Sequence, residues 1–166
     1  MTISMYTASV PVMRHMLANL AGIIGKAAAH ADARKIDPAA LLNARLFPDM
    51  FALVKQVQIA TDNAKGVARL AGMEVPKYED NETSFADLQA RIAKTMAFLD
   101  TLKPEQVDGS EQRDIVVQLR DKKFEFTGQD FLLKRLLPNF YFHLTTAYNI
   151  LRHNGIEIGK NDYLGG

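Results

Sequence analysis

The segment Gln129–His153, QDFLLKRLLPNFYFHLTTAYNILRH, decides how this chain folds. Its inward residues recur every three or four positions, the spacing that places side chains on one face of an α-helix. These positions are Leu133, Leu136, Phe140, His143, Ala147 and Ile150. The segment is followed by Asn154-Gly155, a pair that favours the left-handed conformation at a helix C-terminus. It therefore predicts a long last helix with one buried face.

Three earlier segments have the same apolar period and predict three further long helices. Their ranges are Met5–Ala31, Met50–Ala71 and Phe85–Leu102. Pro11 falls in the first turns of the first of these helices and is its one irregularity. Ser84, with Asp87 three residues later, resembles a capping box at the start of the third. A small helix over Ala39–Leu46, after Asp37-Pro38, should connect the first two.

The stretch between Asp108 and Thr127 changes to an alternating period and predicts a short β-hairpin. The charged run Arg120–Lys123 is expected to form its four-residue turn. We thus expect an all-α protein, a four-helix bundle with a β-hairpin between the third and fourth long helices. Its length, 166 residues, suits a single domain over residues 1–166.

Composition excludes several classes of function. Lysine and arginine number 20 against 19 acidic residues, and this near balance argues against a nucleic-acid partner. With no cysteine there is no disulfide, zinc-thiolate site or cysteine nucleophile. The apolar stretches are too short to span a membrane, so we expect a cytoplasmic protein without a membrane partner. Glycine-rich phosphate loops and the common hydrolase motifs are also absent.

Polar residues on the stripe of the last helix are the candidate site. Asn139 and His143 are four residues apart and Thr146 follows three later, so all three should face inward. Such a row could bind a ligand or a metal. Alternatively, its side chains could simply provide the hydrogen bonds that a buried histidine needs. Gln58, with Thr61 on the second long helix, could line the same cavity, although a half-exposed glutamine on a helix flank is commoner.

The other three histidines have simpler interpretations. His30 and His153 fall in last turns of predicted helices, where a cation-capable ring complements the helix dipole, and His15 lies opposite the apolar stripe. A catalytic zinc site usually has three protein ligands. Because His143 is the one inward histidine, a divalent metal would need Asn139 as a partner, and we expect no tightly bound ion.

Several motifs resemble one bacterial family, a domain of unknown function numbered nineteen ninety-three in the DinB/YfiT-like metalloenzyme superfamily. The motifs are LFPDMF at 46–51, KQVQIA at 55–60, LPNFYFHLTTA at 137–147, ILRHNG at 150–155 and Gly159-Lys160. The resemblance covers nearly the whole chain. It implies a DinB-like four-helix bundle, often a homodimer, in a superfamily whose members hold a divalent metal with three histidines and include metal-dependent thiol transferases.

The resemblance also places the superfamily's metal ligands on this sequence. His143 resembles the histidine of the last helix, ahead of Arg152 and Gly155. The ligand four residues earlier is Asn139 here, and the ligand of the second long helix falls near Gln58. Two of three histidines are thus replaced by amides, which bind divalent metals weakly.

Three functions follow as alternatives. The leading hypothesis is a protein that binds a small molecule by hydrogen bonds to Asn139, His143, Thr146 and Gln58, with a degenerate metal site. The second is a metal-dependent transferase or hydrolase in which His143 holds the metal and activates a water. The third is a structural or partner-binding protein whose polar row only satisfies the core.

Overall fold

The computed structural model of the protein describes residues 3–166, a mostly helical chain with one small two-stranded antiparallel sheet. Met1 and Thr2 lie outside the described residues. The helices are α1 Val10–Arg34, α2 Pro38–Leu42, α3 Leu53–Lys65, α4 Phe85–Leu99, α5 Pro104–Val107, α6 Gly128–Asp130, α7 Leu137–His153 and α8 Lys160–Leu164. The strands are β1 Asp114–Leu119 and β2 Lys122–Thr127.

The long helices α1, α3, α4 and α7 pack around a common apolar core. The most extensive contacts join α3 to α7, α1 to α4 and α3 to α4. Leu20, Leu53, Ile92 and Phe140, one from each of these helices, are completely buried. Removing such a side chain from water stabilises the fold by about 1.5–3 kcal/mol. The described residues contain no helix with the length and apolar character needed to cross a membrane.

The start of α1 corrects the sequence prediction. The helix begins at Val10 rather than Met5, so Pro11 lies in its first turn and is not an irregularity. Proline is favoured there because its missing N–H has no helical acceptor and its φ is already helical. Before it, Ser9 Oγ donates a hydrogen bond to Met5 O (2.6 Å) in a separate turn.

The start of α4 confirms the predicted capping box. Ser84 Oγ accepts a hydrogen bond from Asp87 N (3.1 Å), and Asp87 Oδ2 accepts one from Ser84 N (3.0 Å). These two bonds satisfy N–H groups that a helix start leaves without partners. The backbone bonds also hold the pKa of Asp87 below its ordinary value.

The turn of the hairpin is shorter than predicted. β1 and β2 pair in an antiparallel register that sets Leu119 opposite Lys122. The turn therefore contains only Arg120 and Asp121, and Arg120 has a positive φ of 51°. The prediction of a four-residue turn was wrong because Lys122 and Lys123 take part in strand pairing despite their charge.

Two irregular segments extend the long helices. The second long helix was expected to reach Ala71, but α3 ends at Lys65 and a 3₁₀ turn follows over Gly66–Arg69. Before α7, residues Phe131–Leu136 form a π-helix. Its wider turns change the helical phase, so Leu132 is buried whereas Leu133, predicted on the inward stripe, is 52% exposed.

Candidate functional site

Two pairs of polar side chains join α3 to α7. The Nδ1 atom of His143 lies 2.7 Å from Oε1 of Gln56, and Asn139 Nδ2 donates to Asn63 Oδ1 at 2.9 Å. The later residue of α3 pairs with the earlier residue of α7, so the helices are antiparallel here. The sequence predicted His143 and Asn139 as neighbours on one face, but it did not identify Gln56 or Asn63 as their partners.

The hydrogen bonds around Gln56 determine which nitrogen of His143 carries the proton. Gln56 Nε2 donates to Phe51 O (3.0 Å), so Oε1 is the atom that faces the imidazole. An amide oxygen can only accept, and Nδ1 of His143 must therefore be the protonated nitrogen. Nε2 then presents an unprotonated lone pair.

The Nε2 atom of His143 is accessible and unused. Within residues 3–166 it makes no hydrogen bond, and it is not among the atoms that are buried without a partner. The residue as a whole is only 7% exposed, and burial lowers the pKa of His143 to about 4. The ring is thus neutral at physiological pH, with one nitrogen free to accept a hydrogen bond.

Thr146 is buried on the same face but does not join either pair. Its Oγ1 donates to Phe142 O of the preceding helical turn at 2.7 Å. This local bond satisfies the hydroxyl proton within α7. The predicted row is therefore present as a face of the helix, although its third member is turned to the backbone.

A cavity of about 290 Å³ opens beside the Asn63–Asn139 pair, and we call it the α3–α7 cavity. Its polar lining consists of Asp62, Asn63, Arg69, Arg135 and Asn139. The remaining wall is mostly apolar and is formed by Ile59, Gly66, Val75, Val117, Leu119, Phe131 and Leu136. His143, Thr146 and Gln58 are not part of this lining. Of the four predicted pocket residues, Asn139 is the one that lines this cavity.

Two arginines of the α3–α7 cavity have no carboxylate partner within residues 3–166. Arg69 Nη1 donates to Val116 O (3.2 Å), and the Arg135 guanidinium lies 5.8 Å from the centroid of the Phe124 ring. Asp62, the one acidic residue of the lining, is already paired with Lys65 (2.8 Å) and Arg91 (2.9 Å). Positive charge at this cavity is therefore incompletely neutralised.

Gln58 belongs to a second group of polar residues, the Arg91 cluster, defined as Gln58, Thr61, Asp62, Glu82 and Arg91. Gln58 Nε2 donates to Glu82 Oε2 (2.7 Å), and Arg91 donates to Thr61 Oγ1 (2.7 Å), Asp62 (2.9 Å) and Glu82 (2.9 Å). The side chain of Arg91 is 2% exposed. Burial alone would raise the pKa of Glu82, but hydrogen bonds from Arg91 and Gln58 hold it below its ordinary value.

Lys65 adds a second buried cation next to the Arg91 cluster. Its Nζ donates to Pro76 O (2.9 Å), pairs with Asp62 and lies 3.6 Å from the centroid of the Tyr78 ring. Burial lowers the pKa of Lys65. Arg91 was not among the site residues predicted from the sequence. Its position three residues after Leu88, on the same stripe, was the signal that could have found it.

A three-histidine metal site does not fit the donors that this chain provides. His143 offers one free nitrogen, and the other two positions hold the amides of Asn139 and Gln58, whose oxygens are weak ligands for divalent transition metals. Residues 3–166 contain no group of three histidine, aspartate, glutamate or cysteine side chains that could hold a metal ion. His15, on α1, lies with its Nε2 2.9 Å from Leu164 O instead.

Comparisons with known proteins agree with the sequence motifs and with the helical fold. Residues 5–164 match the family described as "Domain of unknown function (DUF1993)". A crystal structure at 1.83 Å resolution of a DinB family member protein from Shewanella denitrificans is 44% identical in sequence, with a TM-score of 0.87. That similarity covers 97% of this chain and 92% of the other. No curated protein matches the chain. With a match over nearly its whole length, the chain belongs to the DUF1993 family and has a DinB-like fold.

Proposed function

We propose that this protein binds a small organic molecule in the α3–α7 cavity, on one face of a DinB-like four-helix bundle. The observation that carries the proposal is the Asn63–Asn139 pair on the wall of a mostly apolar cavity. Ligand sites typically combine apolar walls with a few convergent polar groups. A volume of about 290 Å³ lies near the lower end of such sites and suits a molecule of one ring or less.

The asparagine pair keeps hydrogen-bonding capacity for a ligand. Asn63 Nδ2 donates to Ile59 O (2.8 Å), and its Oδ1 accepts from Asn139. The carbonyl oxygen of Asn139 has no hydrogen bond within the part of the chain that the structure describes. Since each amide nitrogen carries two protons, both side chains retain a donor and Asn139 retains an acceptor. These groups are complementary to a primary amide or a carboxyl group.

The same contacts support a degenerate metal site rather than a metal-dependent enzyme. A catalytic zinc site needs about three strong ligands and an open position. Here one imidazole nitrogen is available, and the other two positions hold amides, whose oxygens bind divalent transition metals weakly. The lone pair of His143 Nε2 remains useful as a hydrogen-bond acceptor one helical turn from the cavity.

The experiment is a titration of the full chain with isobutyramide and benzamide, followed by backbone amide NMR shifts. We expect the shifts to centre on Asn63, Asn139 and Val117, which line the cavity from three elements. The variant Asn139→Leu should weaken binding by about tenfold, because a hydrogen-bonding side chain is lost from the wall.

Asn149→Leu is the matched control, since it makes the same substitution on an exposed position of α7. It should leave the affinity for both amides unchanged. Shifts that centre elsewhere, or no saturable shifts at all, would contradict the proposed function.

A further inference from the structure

We infer that the ligand of the α3–α7 cavity is a small carboxylic acid with an apolar body, whose carboxylate is bound by Arg69 and Arg135. This inference rests on the proposed function and specifies its ligand class. The two guanidinium groups and the asparagine pair line one cavity, and the rest of its wall is mostly apolar. This lining is complementary to a molecule with an anionic group at one end and a hydrocarbon group at the other.

The two arginines come together because their segments touch. Arg69 ends the 3₁₀ turn that begins at Gly66, and Arg135 lies in the π-helix beside Leu136. A Cβ atom placed on Gly66 would lie only 2.7 Å from Leu136 Cδ1. Glycine at this position leaves room for the Leu136 side chain between the two segments that carry the arginines.

The charges around the cavity favour an anion. Arg69 and Arg135 have no ion pair within residues 3–166. The opposing charge is Asp62, which is 46% exposed and shared between Lys65 and Arg91. Two cations thus compensate this carboxylate before a ligand arrives. A bound anion would pair with guanidinium groups that, within residues 3–166, donate to the Val116 carbonyl or lie over the Phe124 ring.

The apolar walls select an organic carboxylate over inorganic phosphate, since arginine binds both anions through paired N–H···O bonds. An arginine can bind a carboxylate with two parallel N–H···O bonds. Val117 and Leu119 of β1 face the cavity together with Ile59 of α3. An isopropyl or phenyl group can cover this apolar surface, whereas inorganic phosphate leaves it in contact with water.

The test compares acids with their matched primary amides on the full chain. Isobutyrate and benzoate are titrated beside isobutyramide and benzamide, with inorganic phosphate as a further probe. We expect each acid to bind about ten times or more tighter than its amide, since a charged hydrogen-bonded pair contributes more than a neutral one. Phosphate should bind more weakly than either acid.

Arg69→Gln and Arg135→Gln should each remove most of this preference while leaving the affinity for the amides nearly unchanged. Arg45→Gln is the matched control, because Arg45 is exposed and donates to a backbone carbonyl, Met50 O, as Arg69 does to Val116 O. This control should keep the full preference for acids. The thermal midpoint of each variant verifies that it is folded.

The outcomes separate this inference from the proposed function. If amides and acids bind equally in the cavity and neither arginine variant has an effect, the ligand is not specifically a carboxylic acid. The proposed function would still stand in that case. Phosphate that binds as tightly as benzoate would also overturn the carboxylate class, because the site would then accept anions in general. If neither acids nor amides bind in the cavity, both proposals are wrong.

Discussion

The two sides of α3 carry different kinds of polar residue. Toward α7, Gln56 and Asn63 form neutral pairs with His143 and Asn139, beside a cavity. Toward α4 lies the Arg91 cluster, in which a buried guanidinium contacts the carboxylates of Asp62 and Glu82. Both sides arise from one 13-residue helix, so the difference lies in the chemistry of the side chains and their partners.

This difference determines how much hydrogen-bonding capacity each side leaves unused. A buried charge costs several kcal/mol unless it is paired, so a charged cluster is tolerated only when nearly every donor is used. Arg91 meets this condition, and its hydrogen bonds leave little capacity for a ligand. Neutral amides and imidazole tolerate incomplete pairing at lower cost. The α7 side therefore retains a free Nε2 on His143 and a free carbonyl on Asn139.

The largest expected effect is a loss of stability when the Arg91 cluster is disrupted. Arg91→Met removes the cation that pairs with Glu82 and Asp62, and it should destabilise the protein by about 3–5 kcal/mol because the buried carboxylate of Glu82 loses its charged partner. Urea denaturation measures this change. Arg14→Met is the control, since Arg14 pairs with Asp100 at an exposed position and should leave the midpoint nearly unchanged. Equal effects of the two variants would refute the structural role of Arg91.

The next largest effect is a pH dependence of stability that arises from His143, on the side of α3 that faces α7. Burial lowers the pKa of His143 to about 4, below its ordinary value near 6.5. The unfolded chain therefore binds a proton at higher pH than the folded protein. The stability that the neutral imidazole contributes is complete above about pH 6.5 and is lost as the pH falls through about 4. Lowering the pH from 7 to about 4.5 should therefore reduce the free energy of unfolding by about 2 kcal/mol through His143.

Urea denaturation at the two pH values measures this loss. His143→Gln should abolish this part of the pH dependence, whereas His15→Gln, a change at an exposed histidine, should preserve it. A His143→Gln profile that parallels the wild type would show that the imidazole of His143 is not held neutral by the fold.

The smallest expected effect concerns Thr146. Its hydroxyl donates to Phe142 O within its own helix, so Thr146→Val replaces it with a side chain of similar shape and loses one local bond. Stability should change by less than about 1 kcal/mol, and binding of isobutyramide should be unaffected. A loss of binding equal to that of Asn139→Leu would place Thr146 in the site and contradict its separation from the asparagine pair.

Local patterns predicted much of the secondary structure. The capping box of Ser84 and Asp87 formed as expected, because both residues lie within one helical turn. The predictions were wrong where the same local sequence is compatible with two structures. Pro11 can begin a helix or interrupt one, and the π-helix changed the phase that had placed Leu133 inside.

The candidate site was only partly predictable. Spacing on one helix placed Asn139, His143 and Thr146 on a common face, and all three are at least half-buried. Spacing could not identify partners on another helix, so Gln56 and Asn63 were missed and Gln58 was expected near them. Gln58 is also buried, but it hydrogen-bonds to Glu82 on the other side of α3.

The sequence by itself determined the family, the long helices and the shortage of metal ligands, because each of these depends on residue identity and on spacing within one segment. Only the tertiary structure decided which side chains meet. The antiparallel packing of α3 on α7 created the two polar pairs, and the packing of the 3₁₀ turn near the π-helix placed Arg69 and Arg135 on the wall of one cavity. These contacts join residues about seventy positions or more apart, and no local period encodes such distances.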